Sequence, residues 1–177
     1  MRVVAGTARG RSLRAPAGED IRPTSDRVRE AIFNSLTSMD AIEDATVYDL
    51  FAGTGALGIE ALSRGAAHVT FVDRDRAAIA AIEANLAATG LAASQATVVR
   101  ADVIRWLANA PPVDLALVDP PYATGDDTWA ALLASIRATR VVLESNREVP
   151  VESRWEVVRQ KRYGTTVVIV AHDTAAQ

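Results

Sequence analysis

Short apolar runs alternate with Ala-rich stretches of helical periodicity from residue 46 onward. The apolar runs are rich in Val and Leu and predict strands near residues 46–51, 68–73, 96–101, 113–119 and 139–144. The stretches between them predict helices near residues 56–65, 75–89, 103–109 and 127–137. Strands that alternate with helices in this way form a parallel sheet covered by helices on both faces. The pattern therefore predicts an α/β domain.

The pattern changes after Pro150. Two stretches of strand character, residues 154–160 and 165–170, lie on either side of Tyr163 and Gly164. A short connection containing Gly between two such stretches is typical of a β-hairpin. We expect this C-terminal hairpin to close the sheet in antiparallel orientation, which gives a mixed sheet of about seven strands with helices on both faces.

The region before the first parallel strand has a different character. Its first 20 or so residues are rich in Gly and Arg, and a helix is then predicted from about Ser25 to Ser38, because Val28, Ile32 and Leu36 recur on one face. Thr24 is one of several residues that can cap this helix. We therefore divide the chain into an N-terminal basic arm, residues 1–24, and one domain, residues 25–177. The arm is expected to be an appendage that contacts a substrate or covers the site.

Composition narrows the possible classes of protein. A chain of 177 residues with 49% hydrophobic content is sufficient for one domain with a substantial core. The absence of cysteine excludes disulfides, thiolate metal sites and thiol nucleophiles. No apolar run is long enough for a signal peptide or a membrane span, so we expect a cytoplasmic protein. The net charge of −3 argues against a uniformly basic surface, although arginines cluster near the N-terminus.

A glycine-rich loop follows the first predicted parallel strand and opens a helix. Gly53, Gly55 and Gly58 form a G-x-G-x-x-G motif, and Asp73 follows Gly53 by 20 residues at the end of the next strand. Glycines let a ligand approach the backbone, and the acid can hold ribose hydroxyls. Both dinucleotide sites and S-adenosylmethionine sites use this arrangement, so the motif alone does not distinguish them.

Asp49 favours S-adenosylmethionine. A carboxylate at the mouth of the loop repels a pyrophosphate, but attracts the ammonium and sulfonium groups of that cofactor. A simpler role, capping the turn, remains open for Asp49. Asp102 ends the third strand, where its carboxylate and the amide of Val103 can contact an adenine ring or simply cap a helix. The predicted cofactor-binding residues are Asp49, Phe51, Ala52, Gly53, Thr54, Gly55, Asp73, Arg74, Asp102 and Val103.

The fourth predicted strand leads directly into Asp119-Pro120-Pro121-Tyr122. The prolines remove two amide donors, so the carbonyls and the Asp119 side chain project as acceptors. Such a surface suits an NH₂ group better than a phosphate. We therefore predict that these four residues are catalytic: Asp119 and the carbonyl of Pro120 hold an exocyclic amino group, and Tyr122 stacks on a base swung out of its helix or loop. A tight turn without function is the alternative.

Together these motifs resemble those of the class I amino-methyltransferases. The narrower resemblance is to the RsmD-type guanine-N2 methyltransferases of bacterial small-subunit ribosomal RNA, and it rests on residues 22–34, on the opening Arg2–Gly6 and on Arg162-Tyr163-Gly164. The resemblance implies a Rossmann-like fold, S-adenosylmethionine as cofactor and 16S ribosomal RNA or the small ribosomal subunit as partner. In-line attack on the methyl group needs mainly positioning, so we expect no metal, and we expect a monomer. Asp119 stands where related enzymes often have asparagine, and both side chains can accept amino hydrogens.

The basic clusters, the catalytic turn and the resemblance together predict where RNA binds. The predicted substrate-binding residues are Arg2, Arg9, Arg11, Arg14, Arg22, Thr24, Arg27, Tyr122, Lys161 and Arg162. Three alternatives remain at this point: a DNA adenine-N6 methyltransferase, a nicotinamide-dependent oxidoreductase, and an RNA-binding factor that has lost turnover. The first uses the same tetrapeptide chemistry, but 177 residues leave no obvious room for a separate target-recognition domain.

Overall fold

A computed structural model describes residues 1–15, 26–151 and 153–176. Seven strands form one sheet in the order β3-β2-β1-β4-β5-β7-β6. In chain order the helices and strands are α1 (Asp26–Thr37), β1 (Thr46–Leu50), α2 (Ala56–Ser63), β2 (His68–Asp73), α3 (Arg76–Thr89), β3 (Ala96–Arg100), α4 (Val103–Leu107), β4 (Val113–Val118), α5 (Asp126–Ser135), β5 (Ala138–Ser145), β6 (Trp155–Tyr163) and β7 (Thr166–Asp173). Strands β1 to β5 are parallel, and β7 pairs antiparallel with both β5 and β6.

The sheet separates two hydrophobic cores. Alternate residues of each central strand point to opposite faces, so Leu117 packs in one core and Val118 in the other. The first core contains α1, α2 and α3, and Phe33 and Ile82 are fully buried there. The second contains α4 and α5, with Trp129 only 2% exposed. Within the described ranges, no helix is long and apolar enough to cross a membrane.

The beginning of the arm packs closely against the domain. Val3, Ala8 and Leu13 are buried in the first core. The backbone N–H groups of Val4 and Ala5 donate to the carboxylate of Glu60 on α2, at 2.8 and 3.0 Å. Residues 1–15 are therefore an integral layer of the structure, and the expectation of an appendage is wrong for them.

A second contact joins the arm to the glycine loop. Buried Asn85 on α3 exchanges two hydrogen bonds with the backbone of Arg14, of 2.8 and 3.0 Å, and its amide also donates to the carbonyl of Thr54 at 2.9 Å. Asn85 thereby fixes both segments against one helix. The boundary predicted at residue 24, the helix cap predicted at Thr24 and the helix start predicted at Ser25 lie outside the described residues.

The predicted elements agree with the structure to within a few residues. The α/β class, the mixed seven-stranded sheet and the closing hairpin are confirmed. The two-residue turn of the hairpin is Gly164-Thr165, since Tyr163 pairs with Thr166 and so belongs to β6. Gly164 adopts a φ of 61°, a conformation that glycine tolerates without steric cost.

Candidate active site

The carboxyl ends of the parallel strands surround a cavity of about 640 Å³. The chain runs from β1 outward through β2 and β3, and then returns to place β4 on the other side of β1. This reversal opens a crevice above β1 and β4, where ligands bind in open α/β sheets. Residues from the ends of β1, β2, β4 and β5, and from the loop that follows β3, line the cavity. Its volume suits a ligand of nucleoside size.

The glycine loop turns sharply at the end of β1. Phe51, Gly53 and Gly55 all have positive φ values, of 60°, 54° and 74°. For Phe51 this left-handed conformation costs about 1–2 kcal/mol, because its Cβ crowds the backbone. The N–H of Gly55 donates to the carbonyl of Ala52 at 2.7 Å, which closes the turn. The loop lines the cavity through Phe51, Ala52, Gly53 and Thr54, whereas Gly55 is buried at the start of α2.

Gly58 explains the close packing beneath this loop. A Cβ at this position would lie 2.3 Å from the Phe71 ring, so α2 can rest on β2 only if residue 58 has no side chain. The backbone N–H of Gly58 donates to the carboxylate of Asp49 at 2.8 Å. Asp49 is thus attached to α2 while also lining the cavity.

Asp49 has an unusual protonation equilibrium. Burial raises the pKa of its carboxyl to about 8, and nearby Asp73 acts in the same direction, while the hydrogen bond from Gly58 opposes the rise. The side chain is 1% exposed. A cation bound in the cavity would stabilise the ionised carboxylate, so the site is electrostatically suited to a positively charged ligand.

Asp73 supports the glycine loop from the end of β2. One carboxylate oxygen accepts the N–H of Gly53 at 2.9 Å, and the other accepts the N–H of Asp75 at 2.9 Å. A carboxylate can accept more than two hydrogen bonds, so Asp73 can hold the loop and a hydroxyl-bearing ligand at the same time. Arg74 also lines the cavity.

Asp102 lies in the loop that follows β3 and lines the cavity. Its side chain accepts the N–H of Arg105 at 3.1 Å and caps α4, so the helix-capping role is present. Val103 is buried in the second core and does not line the cavity. Ile104 does, and it adds an apolar surface close to Asp102 that the sequence analysis did not select.

The tetrapeptide Asp119-Pro120-Pro121-Tyr122 borders the same cavity. Its position is fixed at the end of β4, where the N–H of Asp119 donates to the carbonyl of Leu50 at 3.4 Å. Tyr122 is 40% exposed, and its hydroxyl lies 3.4 Å from that of Thr166 on β7. The structure therefore brings the predicted catalytic turn and most of the predicted cofactor residues to one cavity.

Glu144 is a cavity-lining acid that the sequence analysis missed. It lies near the end of β5 and is 3% exposed. The signal that could have found it was the same as for Asp49, Asp73 and Asp119, an acid near the carboxyl end of an apolar run.

Comparison with known proteins agrees with this geometry. Residues 1–172 match the sequence model of the family described as conserved hypothetical protein 95. The chain belongs to this family. It is 39% identical over 175 residues to ribosomal RNA small subunit methyltransferase D of Escherichia coli K12, covering 93% of this chain and 85% of the relative. It is also 39% identical over 177 residues to the protein of the same name from Haemophilus influenzae, covering 93% and 89%.

The fold of the family is also known from solved structures. The Escherichia coli protein yhhF superimposes with a TM-score of 0.83 and 37% identity, covering 98% of this chain and 97% of its own. A hypothetical protein of Thermus thermophilus gives the same TM-score at 29% identity, covering 97% and 99%. The predicted resemblance to RsmD-type methyltransferases is confirmed, and with it the prediction of a methyltransferase. The relatives' names do not favour the DNA or nicotinamide alternatives.

Among the described residues, none of the basic side chains predicted to contact RNA lines the cavity. Arg2, Arg9, Arg11, Arg14, Arg27, Lys161 and Arg162 are exposed. Arg22 and Thr24 lie outside the described residues. Arg2, Arg9, Arg11 and Arg14 belong to a layer that Glu60 and Asn85 hold in place, so they form a positioned surface. Their contact with RNA stays a prediction.

Proposed function

We propose that this chain transfers a methyl group from S-adenosylmethionine to the exocyclic N2 amino group of a guanine in 16S ribosomal RNA. The observation that carries the proposal is the shared cavity: the acceptor turn at residues 119–122 borders the same space as the glycine loop and Asp49. Relatives named as ribosomal RNA small subunit methyltransferase D support the choice of RNA. An enzyme that acts on ribosomal subunits would work in the cytoplasm.

The cavity fits S-adenosylmethionine by the chemistry of its lining. Asp49 would face the cationic end of the cofactor, since its buried carboxyl gains most from a positive neighbour. Asp73, beside the glycine loop, would accept ribose hydroxyls. Asp102 and Ile104 would flank the adenine. When bound, the cofactor supplies an electrophilic methyl group on a sulfonium.

The tetrapeptide would prepare the amino group for attack. The lone pair of a base amino group is delocalised into the ring, so the nitrogen is a weak nucleophile. If Asp119 and the carbonyl of Pro120 accept its two hydrogens, the nitrogen is drawn toward tetrahedral geometry. Positioning of this kind can supply about 7–11 kcal/mol of barrier lowering. Asp119 also lies where it could take the proton that the nitrogen loses.

Tyr122 would contribute the stacking surface. Sequence-specific recognition of RNA commonly uses unpaired bases stacked on aromatic side chains. Tyr122 is exposed at the rim of the cavity, and its hydroxyl lies near Thr166 of β7, which limits the orientations of the ring. A guanine swung out of its loop could lie against this ring with its amino group toward Asp119.

Methylation with labelled S-adenosylmethionine tests the proposal. The substrates are small ribosomal subunits from cells that lack the gene and, in parallel, duplex DNA. Mass mapping of the labelled ribosomal RNA should find one N2-methylguanine. Label in DNA alone, or on another atom of the RNA base, would contradict the proposed function.

A further inference from the structure

Glu144 belongs to the cavity but has no role in the methyl transfer proposed above. It lies near the carboxyl end of β5, opposite Val168 of β7, and β4 pairs with the other edge of β5. Its backbone therefore pairs with β7 on one side, while on the other side the pairing with β4 ends one residue earlier, at Leu143. The residue is 3% exposed and lines the cavity. A carboxylate has about four acceptor sites, so an interaction with the protein leaves others for a ligand.

Asp119 and Glu144 lie just beyond the last paired residues of two neighbouring strands. Strands β4 and β5 are parallel, and Val118 is opposite Leu143. Asp119 and Glu144 each follow one residue later, and both line the cavity. Neighbouring strands are about 4.8 Å apart, and laterally paired residues point to the same face. Two carboxylates are thus placed within reach of one base.

Such a pair matches the hydrogen-bonding edge of guanine. That edge presents two adjacent donors, the ring N1–H and the amino group. Adenine instead presents an unprotonated ring N1, an acceptor, beside its amino group. Enzymes that act on an extruded base read this edge by hydrogen bonds. Two acceptors side by side satisfy guanine, but they leave an acceptor facing an acceptor with adenine, and a site built for a donor rejects an analogue that lacks it.

Resting on the proposed function, we propose that Glu144 accepts the N1–H of the target guanine while Asp119 accepts an amino hydrogen. Glu144 is thereby a specificity-determining residue: it selects a base with a protonated ring nitrogen beside the amino group. Asp119 alone cannot make this selection, since guanine and adenine both carry an exocyclic amino group.

The test compares guanine with 2-aminopurine at the mapped methylation site. This analogue keeps the amino group but has an unprotonated ring N1. Small-subunit RNA carrying either base is assembled into particles, and kcat/KM for methyl transfer is measured with the full chain. The wild-type protein should prefer guanine by roughly 10- to 100-fold, the discrimination typical of one specific contact to a base. Equal use of the two bases by the wild-type protein would overturn the proposal, and this arm needs no variant.

Glu144→Gln provides the second arm. Its amide can accept from guanine or donate to 2-aminopurine, so the preference should fall at least about 5-fold while methylation of guanine persists. Glu148→Gln is the matched control, because Glu148 is exposed, lies shortly after β5 and does not line the cavity. The Glu148→Gln protein should prefer guanine over 2-aminopurine as strongly as the wild type does. Affinity for S-adenosylhomocysteine and thermal unfolding show whether each variant is folded.

The two hypotheses fail in different ways. If the wild-type protein methylates guanine N2 and Glu144→Gln keeps the full preference, the role of Glu144 is refuted and the proposed function stands. If Glu144→Gln does not fold, the wild-type comparison decides. If the wild-type protein methylates no guanine N2, the proposed function itself fails, and the role of Glu144 falls with it.

Discussion

Arg29 of α1 and Glu60 of α2 form an ion pair of 3.6 Å in which neither side chain is exposed to solvent. Arg29 also contacts the carbonyl of Arg2 and lies 2.8 Å from Asp26, while Glu60 binds Arg64 at 2.8 Å. Because Glu60 accepts two backbone N–H groups of the arm as well, this network joins three segments: the arm, α1 and α2.

Removing one member of the pair should destabilise the protein strongly. Arg29→Met removes a positive charge beside the buried Glu60 carboxylate. Breaking a buried ion pair typically lowers the free energy of unfolding by about 3–5 kcal/mol. Urea unfolding measures the loss. The exposed pair of Arg147 and Asp126 is the control, since Asp126→Ala should cost about 1 kcal/mol or less. Similar losses for the two variants would contradict a stabilising role for the buried network.

Asp119→Ala should separate methyl transfer from cofactor binding. Loss of one preorganised polar contact lowers turnover by roughly 10²- to 10³-fold. Affinity for S-adenosylhomocysteine should change little, because the proposed contact is with the base. Single-turnover assays and calorimetry provide the two readouts. Asp119→Asn, which keeps an acceptor, is the matched variant: if it is as inactive as Asp119→Ala, the carboxylate is needed for more than accepting a hydrogen bond.

Asp49 should make the stability of the ligand-free protein depend on pH. Its pKa is raised from 3.8 to about 8, so the folded state favours the protonated carboxyl. The contribution of this protonation to the free energy of unfolding is complete below pH 4 and is lost as pH rises toward 8. Asp49→Asn should remove this loss of stability at higher pH. The difference in Tm between Asp49→Asn and the wild type should therefore grow from pH 5 to pH 8, by about 2–4 °C for each kcal/mol of unfolding free energy. A constant difference across that range would show that Asp49 does not titrate there.

The same carboxyl should couple cofactor binding to proton release. A cationic ligand favours ionised Asp49, so affinity for S-adenosylmethionine should increase between pH 6 and pH 7.5 in the wild type. Asp49→Asn should bind more weakly and without this increase. Calorimetry in buffers of different ionisation enthalpy measures the released proton directly.

The exposed arginines of the arm should affect RNA rather than cofactor. Arg9→Ala with Arg11→Ala should raise KM for small subunits and reduce the slope of log affinity against log salt by about 0.7–0.9 for each phosphate that is no longer neutralised. Arg105→Ala is the control, because Arg105 is exposed on α4, which packs on the other face of the sheet. A salt slope that stays unchanged in the double variant would exclude the arm from phosphate binding.

The sequence predicted the fold and most of the cavity because both depend on local patterns. Asp49 and Asp119 come at the ends of apolar runs, and parallel strand ends meet at one edge of a sheet. Glu144 lies one residue before the end of β5, as Asp49 does in β1, but neither a glycine loop nor a proline turn follows it to draw attention to the acid. The role of Glu60 could not be predicted either. Its burial depends on arm residues that lie 55 and 56 positions away in the chain, a tertiary contact that helical periodicity does not reveal.

Asn85 couples the binding of one ligand at the glycine loop to the binding of another at the arm. With 1% of its surface exposed, it cannot exchange its protein partners for water unless the arm or the glycine loop departs. Departure of either segment would exchange Asn85 hydrogen bonds for contacts with water, at a cost of about 0.5–1.5 kcal/mol for each bond. A ligand that fastens the loop therefore also steadies the arm, and by thermodynamic reciprocity a substrate that grips the arm tightens the loop.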